Sequence, residues 1–354
     1  MTPLRVGSTI GILGDGQLGR MLACAAADLG FDVVVFGPNE DSPAGRVAAQ
    51  NIIADYTDKD ALAEFSVRAD IATLEFENVP VSALQKLEDM DCPVHPGVKS
   101  LEVCQDRHFE KKFARENGVD TASYWVIDHL DDLEAAMEEL GGEGILKTRR
   151  DGYDGHGQRR INKSSNPHEM FTALGRSPCI LEAMVPFAGE MSVVLARSAS
   201  GEIRAYDPSR NIHRNGILHS ARVPSSFSHE IEQAAIRAAT RLITALGHVG
   251  VLACEFFVLE TGEILLNEMA PRVHNSGHWT PEACMTGQFE QHIRAVAGWP
   301  LGNQKRLMDA EMENLLGDDV DKAFGPAGPF DMITLYGKRE ARPGRKMGHV
   351  VRKL

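Results

Sequence analysis

The 354-residue sequence predicts an α/β unit followed by α+β units: a doubly wound parallel-sheet domain, a small central domain and a larger antiparallel-sheet domain. Three observations carry that expectation. Residues 9–36 read strand, glycine turn, helix, strand. A second glycine-rich segment, 150–158, lies between two short β-like runs instead of opening a helix. From about residue 186 the chain becomes hairpin-rich, and one hairpin carries two glutamates on facing apolar runs.

In the first unit, TIGILGDG leads into a helix from Gln17 to Leu29 with Leu18, Met21, Leu22 and Ala25 on one stripe, and FDVVVF follows. Further β-like runs at 51–54 and 71–74 alternate with polar helical stretches at 58–68 and 81–90, the rhythm of a parallel sheet with helices on both faces. Gly14-Asp15-Gly16-Gln17-Leu18-Gly19 fits GxGxxG, whose glycines let backbone approach a phosphate at a helix N-terminus. A dinucleotide site also needs an acid at the tip of the second strand, and here Gly37-Pro38-Asn39 precedes Glu40. Three roles stay open for the motif: a nicotinamide cofactor, a loop for another phosphate ligand, or plain turn geometry. This domain spans 1–98. A connector over 99–122 follows, with a charged helix expected at roughly 98–117.

The central unit, 123–185, holds YWVI, an acidic helix at 131–140 and the strand ILK at 145–147. The segment from Lys147 to Gln158 runs between ILK and QRRIN. A glycine hairpin of this kind folds over polyphosphate like a lid, its N–H groups and a strand lysine meeting the phosphates. No GxxxxGK[ST] loop occurs, and a plain surface hairpin is the alternative.

The third unit, 186–354, turns first at Ser200-Gly201, continues through a long helix at 229–246 and reaches GVLACEFFVLETGEILLNEMAPRVHNSGHW. A two-residue turn at Thr261-Gly262 sets Glu255 opposite Glu268; a three-residue loop with a bulge at Gly262 shifts the facing pairs by one. Two carboxylates about 4 Å apart repel by roughly 4 kcal/mol at an effective dielectric near 20, so the pair calls for a raised pKa or a cation. With Asn267 adjoining and no Cys facing the pair, a hard ion such as Mg²⁺ fits better than zinc; a solvated acidic edge is the plain alternative. Arg272, His274, Asn275 and His278 follow at once, a polar cluster suited to an anionic reacting centre. Residues 338–354 carry seven Lys or Arg against the single acid Glu340. That basic end is either a solvated tail or an anion site around Pro343-Gly344.

Composition narrows the function. A net charge of -13 argues against a general nucleic-acid or anionic-membrane binder. No apolar run approaches the roughly 20 residues that span a bilayer, and the cytoplasm is the expected location. Six dispersed cysteines without a CxxC pair read as reduced thiols.

The order strand lysine, glycine lid, paired-glutamate hairpin, Asn-Glu and Arg resembles the ATP-grasp ligases. Within them, GILGDGQLGRML, GYDGHGQ, NEMAPRVHNSGHWT and RPGRKMGH resemble the N5-carboxyaminoimidazole ribonucleotide synthase family across essentially the whole chain. The resemblance implies carboxylation of 5-aminoimidazole ribonucleotide by bicarbonate at the expense of ATP and Mg²⁺, through carboxyphosphate, by a homodimer. It implies ATP contacts from Arg107, Lys147, Gly152, Tyr153, Asp154, Gly155, His156, Gly157, Gln158, Glu182, Ala183, Met184, Val185, Glu190, His213, Asn267 and Glu268. Mg²⁺ falls to Glu255 and Glu268, and the chemistry to Arg272, His274, Asn275 and Asp154. The ribonucleotide falls to Glu75, Tyr153, Arg272, Asn275, Arg345, Lys346 and Arg352. His156 departs from the pattern, which has Arg or Lys in the lid. A formate-activating ATP-grasp formyltransferase, a nicotinamide-dependent dehydrogenase and a non-catalytic nucleotide sensor are the competing readings.

Overall fold

The computed structural model describes residues 2–152, 155–324 and 331–354, so Tyr153 and Asp154 lie outside the described residues. Strands β1 (Thr9–Leu13), β2 (Asp32–Gly37), β3 (Gln50–Ile53) and β4 (Ile71–Leu74) form a parallel sheet in the order β3-β2-β1-β4. One face packs on helices Lys59–Arg68 and Val81–Asp89 through Leu62, Phe65, Leu84 and Leu87. The other packs through helix Gln17–Asp28, where Leu22 and Ala26 share a core with Ile293 and Val296 of helix Gln288–Val296. The first sheet is thereby fixed to the carboxy-terminal part of the chain. A buried contact of 2.7 Å between Thr73 Oγ1 and His292 Nε2 joins the same two parts.

The expected connector helix is two helices, Val98–Gln105 and Arg107–Glu116. Asp106 divides them because its backbone is extended and its carboxylate accepts from the amides of His108 (3.0 Å) and Phe109 (3.4 Å), capping the second helix. Next come β5 (Tyr124–Ile127), β6 (Gly144–Thr148), β7 (Gln158–Ile161) and β8 (Cys179–Ala183), an antiparallel sheet in the order β5-β8-β6-β7. Lys147 and Gln158 face each other where β6 and β7 open into the glycine segment.

The large sheet is built from β9 (Phe187–Arg197), β10 (Ile203–Ala205), β11 (Ser209–Arg214), β12 (Ile217–Val223), β13 (Gly250–Leu259), β14 (Ile264–Ala270), β15 (Ala310–Leu316), β16 (Asp331–Leu335) and β17 (Lys346–Lys353). Its order is β14-β13-β9-β11-β12-β15-β17-β16, with β10 on β9, and its pairs are antiparallel. Helix His229–Leu246 covers one face with Ala235, Ala238, Ala239, Leu242, Ile243 and Leu246, a stripe at helical spacing. Ser228 caps its start and Gly247, left-handed, ends it. The basic end of the chain is not a solvated tail: β17 lies between β15 and β16.

Candidate active site

Gly262 has φ +88° and its amide donates to the Leu259 carbonyl at 3.0 Å, so the hairpin loop holds three residues, not two. The pairs next to it are accordingly shifted, with Phe257 opposite Leu265 and Phe256 opposite Leu266. One extra residue in β14, Asn267, then forms a bulge and restores Glu255 to its place opposite Glu268. The facing pair is the one read from the sequence. Two irregularities that cancel produce it. Burial and the neighbouring Glu268 charge push the Glu255 carboxyl up to about 7, while Ser192 Oγ donates to it at 3.4 Å. Burial opposes ionisation of Glu268 too, but the charges of Arg107 and Lys147 outweigh it and hold that carboxyl below its usual range.

A single face of helix Arg107–Glu116 grips the bulge. Lys111 Nζ donates to the Asn267 carbonyl at 3.1 Å, Arg107 Nη1 donates to Glu268 Oε2 at 3.1 Å, and Glu110 Oε1 accepts the Met269 amide at 2.5 Å. Burial pushes Glu110 up to about 8 despite Lys111 and Arg107. Lys111 and Lys147 both ion-pair with Glu182, whose carboxyl they hold far below its ordinary value against the cost of burial. The Asn267 side-chain oxygen is buried, with no partner among the described residues.

Beyond the hairpin, Arg272 forks onto Glu77, with Nη2 to Oε1 at 2.7 Å and Nε on the second oxygen. His274 Nδ1 lies 2.8 Å from Ser276 Oγ and 3.7 Å from Glu255 Oε1; burial and the Arg272 charge push its pKa down to about 3, so the ring is neutral. Asn275 is 8% exposed, and among the described residues neither its amide nitrogen nor its oxygen has a partner. Just past β4, Glu75 accepts from the amides of Gly16 (2.8 Å) and Gly19 (2.9 Å). A Cβ at Gly14 would lie 2.3 Å from Glu75 Cγ, which requires glycine there. The anion-binding end of helix Gln17–Asp28 is thus taken by a protein carboxylate, the position a dinucleotide phosphate would need.

Some of these groups line a cavity of about 870 Å³; Glu255, Lys111, Lys147, Glu182 and Asn267 stand outside its wall. Its wall includes Glu75, Arg107, Gly152, His156, Glu268, Arg272, His274 and Asn275, with Arg345 and Lys346 from the start of β17. Glu190 and His213 pair at 2.7 Å on adjacent strands; burial opposes protonation of His213, but Glu190 and Glu255 raise it to about 9. Gly155 and Gly157 have positive φ in the turn above β6, and the Gly157 carbonyl accepts from the Thr148 amide at 2.8 Å. In the 182–185 segment the amides of Ala183 and Met184 already donate to Ser123 (2.9 Å) and Glu143 (3.1 Å). Arg352 is set apart: it pairs with Glu313 at 2.6 Å and Asp331 at 3.3 Å, six residues along β17 from Lys346, roughly 20 Å of strand. Glu77, Glu110 and Lys111 were not legible as site residues. The available signal was spacing: Glu77 alternates with Glu75, and Arg107, Glu110, Lys111 and Ala114 share one helix face.

The chain matches three family models in succession: the ribonucleotide synthetase preATP-grasp domain over residues 7–105, the ATP-grasp domain over 112–289 and the phosphoribosylaminoimidazole carboxylase C-terminal domain over 310–352. It is 50% identical to the N5-carboxyaminoimidazole ribonucleotide synthase of Brucella melitensis, over 99% of this chain and 98% of that one. Among solved structures, N5-carboxyaminoimidazole synthetase from Staphylococcus aureus complexed with ADP is 35% identical, with a TM-score of 0.95 covering 100% of this chain and 95% of that one. The Aspergillus clavatus synthase in complex with ADP and 5-aminoimidazole ribonucleotide is 27% identical, with a TM-score of 0.90 covering 99% and 94%. By sequence along its whole length, and by a fold that superposes on these structures, the chain belongs to the N5-carboxyaminoimidazole ribonucleotide synthase family of ATP-grasp ligases.

Proposed function

We propose that the chain carboxylates 5-aminoimidazole ribonucleotide with bicarbonate, converting ATP to ADP and phosphate through carboxyphosphate, and that the residues around the cavity carry this out as follows. The observation that carries the reading is the Glu255–Glu268 pair, two facing carboxylates of which Glu268 bonds Arg107 and lines an arginine-rich cavity while Glu255 is pushed up by burial and by the Glu268 charge. Hard oxygen donors, a carboxyl pushed up by burial and by the facing carboxylate, and the Asn267 oxygen, without a partner among the described residues, suit Mg²⁺, which needs few protein ligands when phosphates supply the rest. When bound there, Mg²⁺ would neutralise phosphate charge during transfer. Arg107, Lys147 and the lid from Gly152 to Gln158 would hold the phosphates, with His156 serving as a hydrogen-bond donor in place of a fixed cation. Glu190, locked to His213, would accept from ribose hydroxyls. Because two amides of the 182–185 segment are engaged, adenine falls to its carbonyls and to Val185.

Bicarbonate presents both an acceptor oxygen and a hydroxyl donor. The Asn275 amide, unpartnered at both ends among the described residues, offers the complement, and Arg272 supplies positive charge held in place by Glu77. Formate has no hydroxyl to fill that amide, which disfavours the formyltransferase reading. The filled helix N-terminus disfavours the dinucleotide one. Arg345 and Lys346 would take the ribonucleotide phosphate, and Glu75, Tyr153 and Asp154 would orient its amine; Arg352, paired with Glu313 and Asp331 outside the cavity wall, would not share in this. No protein nucleophile is needed, so positioning and water exclusion carry the catalysis. The reading includes the division 1–98, 99–122, 123–185 and 186–354, and a homodimer in the cytoplasm, to be checked by sedimentation velocity and cell fractionation. Phosphate release should require ATP, bicarbonate and 5-aminoimidazole ribonucleotide together. Turnover with formate and glycinamide ribonucleotide instead would overturn the assignment. Glu255→Ala and Glu268→Ala should each lower kcat by at least ~10²-fold with the fold intact by circular dichroism.

A further inference from the structure

Glu182 is buried, with its side chain 5% exposed, and two ammonium groups share it: Lys147 from β6 and Lys111 from helix Arg107–Glu116. One carboxylate needs one cation, so the cluster carries a surplus positive charge. Lys111 is 1% exposed and has a second attachment, the Asn267 carbonyl at 3.1 Å, so it is held from both sides. Lys147 is the more exposed of the two, at 10%, and sits where β6 opens into the glycine turn. Of the two partners it is the one placed to leave.

We propose that Lys111 is a positioning residue that releases Lys147 to the nucleotide phosphates: it keeps Glu182 neutralised when Lys147 turns away, so that no buried carboxylate is left uncompensated. The inference rests on the reading that Lys147 binds ATP. A buried charge stripped of its partner is strongly unfavourable, whereas one that keeps a hydrogen-bonded counter-ion is tolerated. Without Lys111, Glu182 would hold Lys147 for itself and compete with the phosphates. The bond from Lys111 to Asn267 also links this exchange to the bulge that places Glu268. Arg107 and Glu110 complete the grip on the next two residues, so one helix face ties Glu182 of β8, and through it Lys147 of the lid strand, to the glutamate hairpin.

The test is a double-mutant cycle on ADP binding to the whole chain, read by isothermal titration with MgCl₂ present. Lys111→Met should weaken ADP at least tenfold, and the double variant Lys111→Met/Glu182→Gln should recover most of that loss because Lys147 no longer has a competitor. A residue with only a structural role gives the opposite order, the double variant being the weaker. Lys111→Gln serves the same comparison should Lys111→Met not fold, since it also removes the charge. Wild-type binding with Lys111→Met unchanged, or no recovery in the double variant, overturns the inference alone. A wild-type chain that binds no ADP overturns both the inference and the reading beneath it.

Discussion

Glu255 lies 8% exposed opposite Glu268, and burial together with that charge raises its pKa from an ordinary 4.5 to about 7. The native state therefore keeps a proton that the unfolded chain has already released. Between pH 4.5 and about 7 the stability contributed by this group falls as pH rises. A metal ion competes for the same oxygens and reverses the trend, since it needs the carboxylate form. With ADP present, MgCl₂ should raise Tm more at pH 8 than at pH 6, and Glu255→Gln should flatten the difference. Equal increments at both pH values in the native chain would remove Glu255 from the metal site. Arg272 illustrates the limit of reading single residues: its chemistry was legible, but its partner Glu77 lies 195 positions away and only the fold brings them together.

At the scale of elements, Asp106 ends one helix, caps the next and anchors Arg149 at 2.9 Å and Arg150 at 3.4 Å. Burial opposes its ionisation, yet the Arg149 hydrogen bond and charge hold its carboxyl below the usual range. Loss of the cap costs roughly 1–2 kcal/mol, and two arginines lose their acceptor as well. Thermal unfolding should rank native above Asp106→Asn, which keeps a capping oxygen, and Asp106→Asn above Asp106→Ala; an alanine variant as stable as the native chain would refute this role. The break was invisible in the sequence because an aspartate within a charged stretch is a poor helix stop until its arginines arrive from the segment after β6. Helix His229–Leu246, by contrast, was legible to its ends, since its stripe, its Ser228 cap and its Gly247 stop are all local. The glutamate hairpin falls between these cases. Its facing pair was legible, but the three-residue loop and the Asn267 bulge that together create it depend on which backbone groups find partners, and Lys111 and Glu110 supply them from outside the hairpin.

Over the whole molecule, the cavity lies where the three sheets meet, and its two sides come from different parts of the chain. The glycine segment after β6, helix Arg107–Glu116 and β14 contribute to one side; Glu75, just after β4, and the Arg345–Lys346 start of β17 contribute to the other. The Arg272–His278 loop lies between them, with Arg272 tied to Glu77 in the turn after β4 and His274 near Glu255 of the hairpin. That arrangement suits a reaction that activates one substrate on one side and delivers it to a second on the other, with the labile intermediate never leaving the cavity. Its kinetic signature is separability. Glu75→Gln and Lys346→Met should each raise KM for 5-aminoimidazole ribonucleotide at least tenfold while leaving KM for ATP within twofold. Lys147→Met should do the reverse. Initial-rate measurements with each substrate varied in turn decide the matter. A Lys346→Met enzyme whose two KM values rise together would mean that the β17 end shapes the cavity as a whole and is not a site for one ligand, since its ammonium group would then be acting through the fold and not on a phosphate.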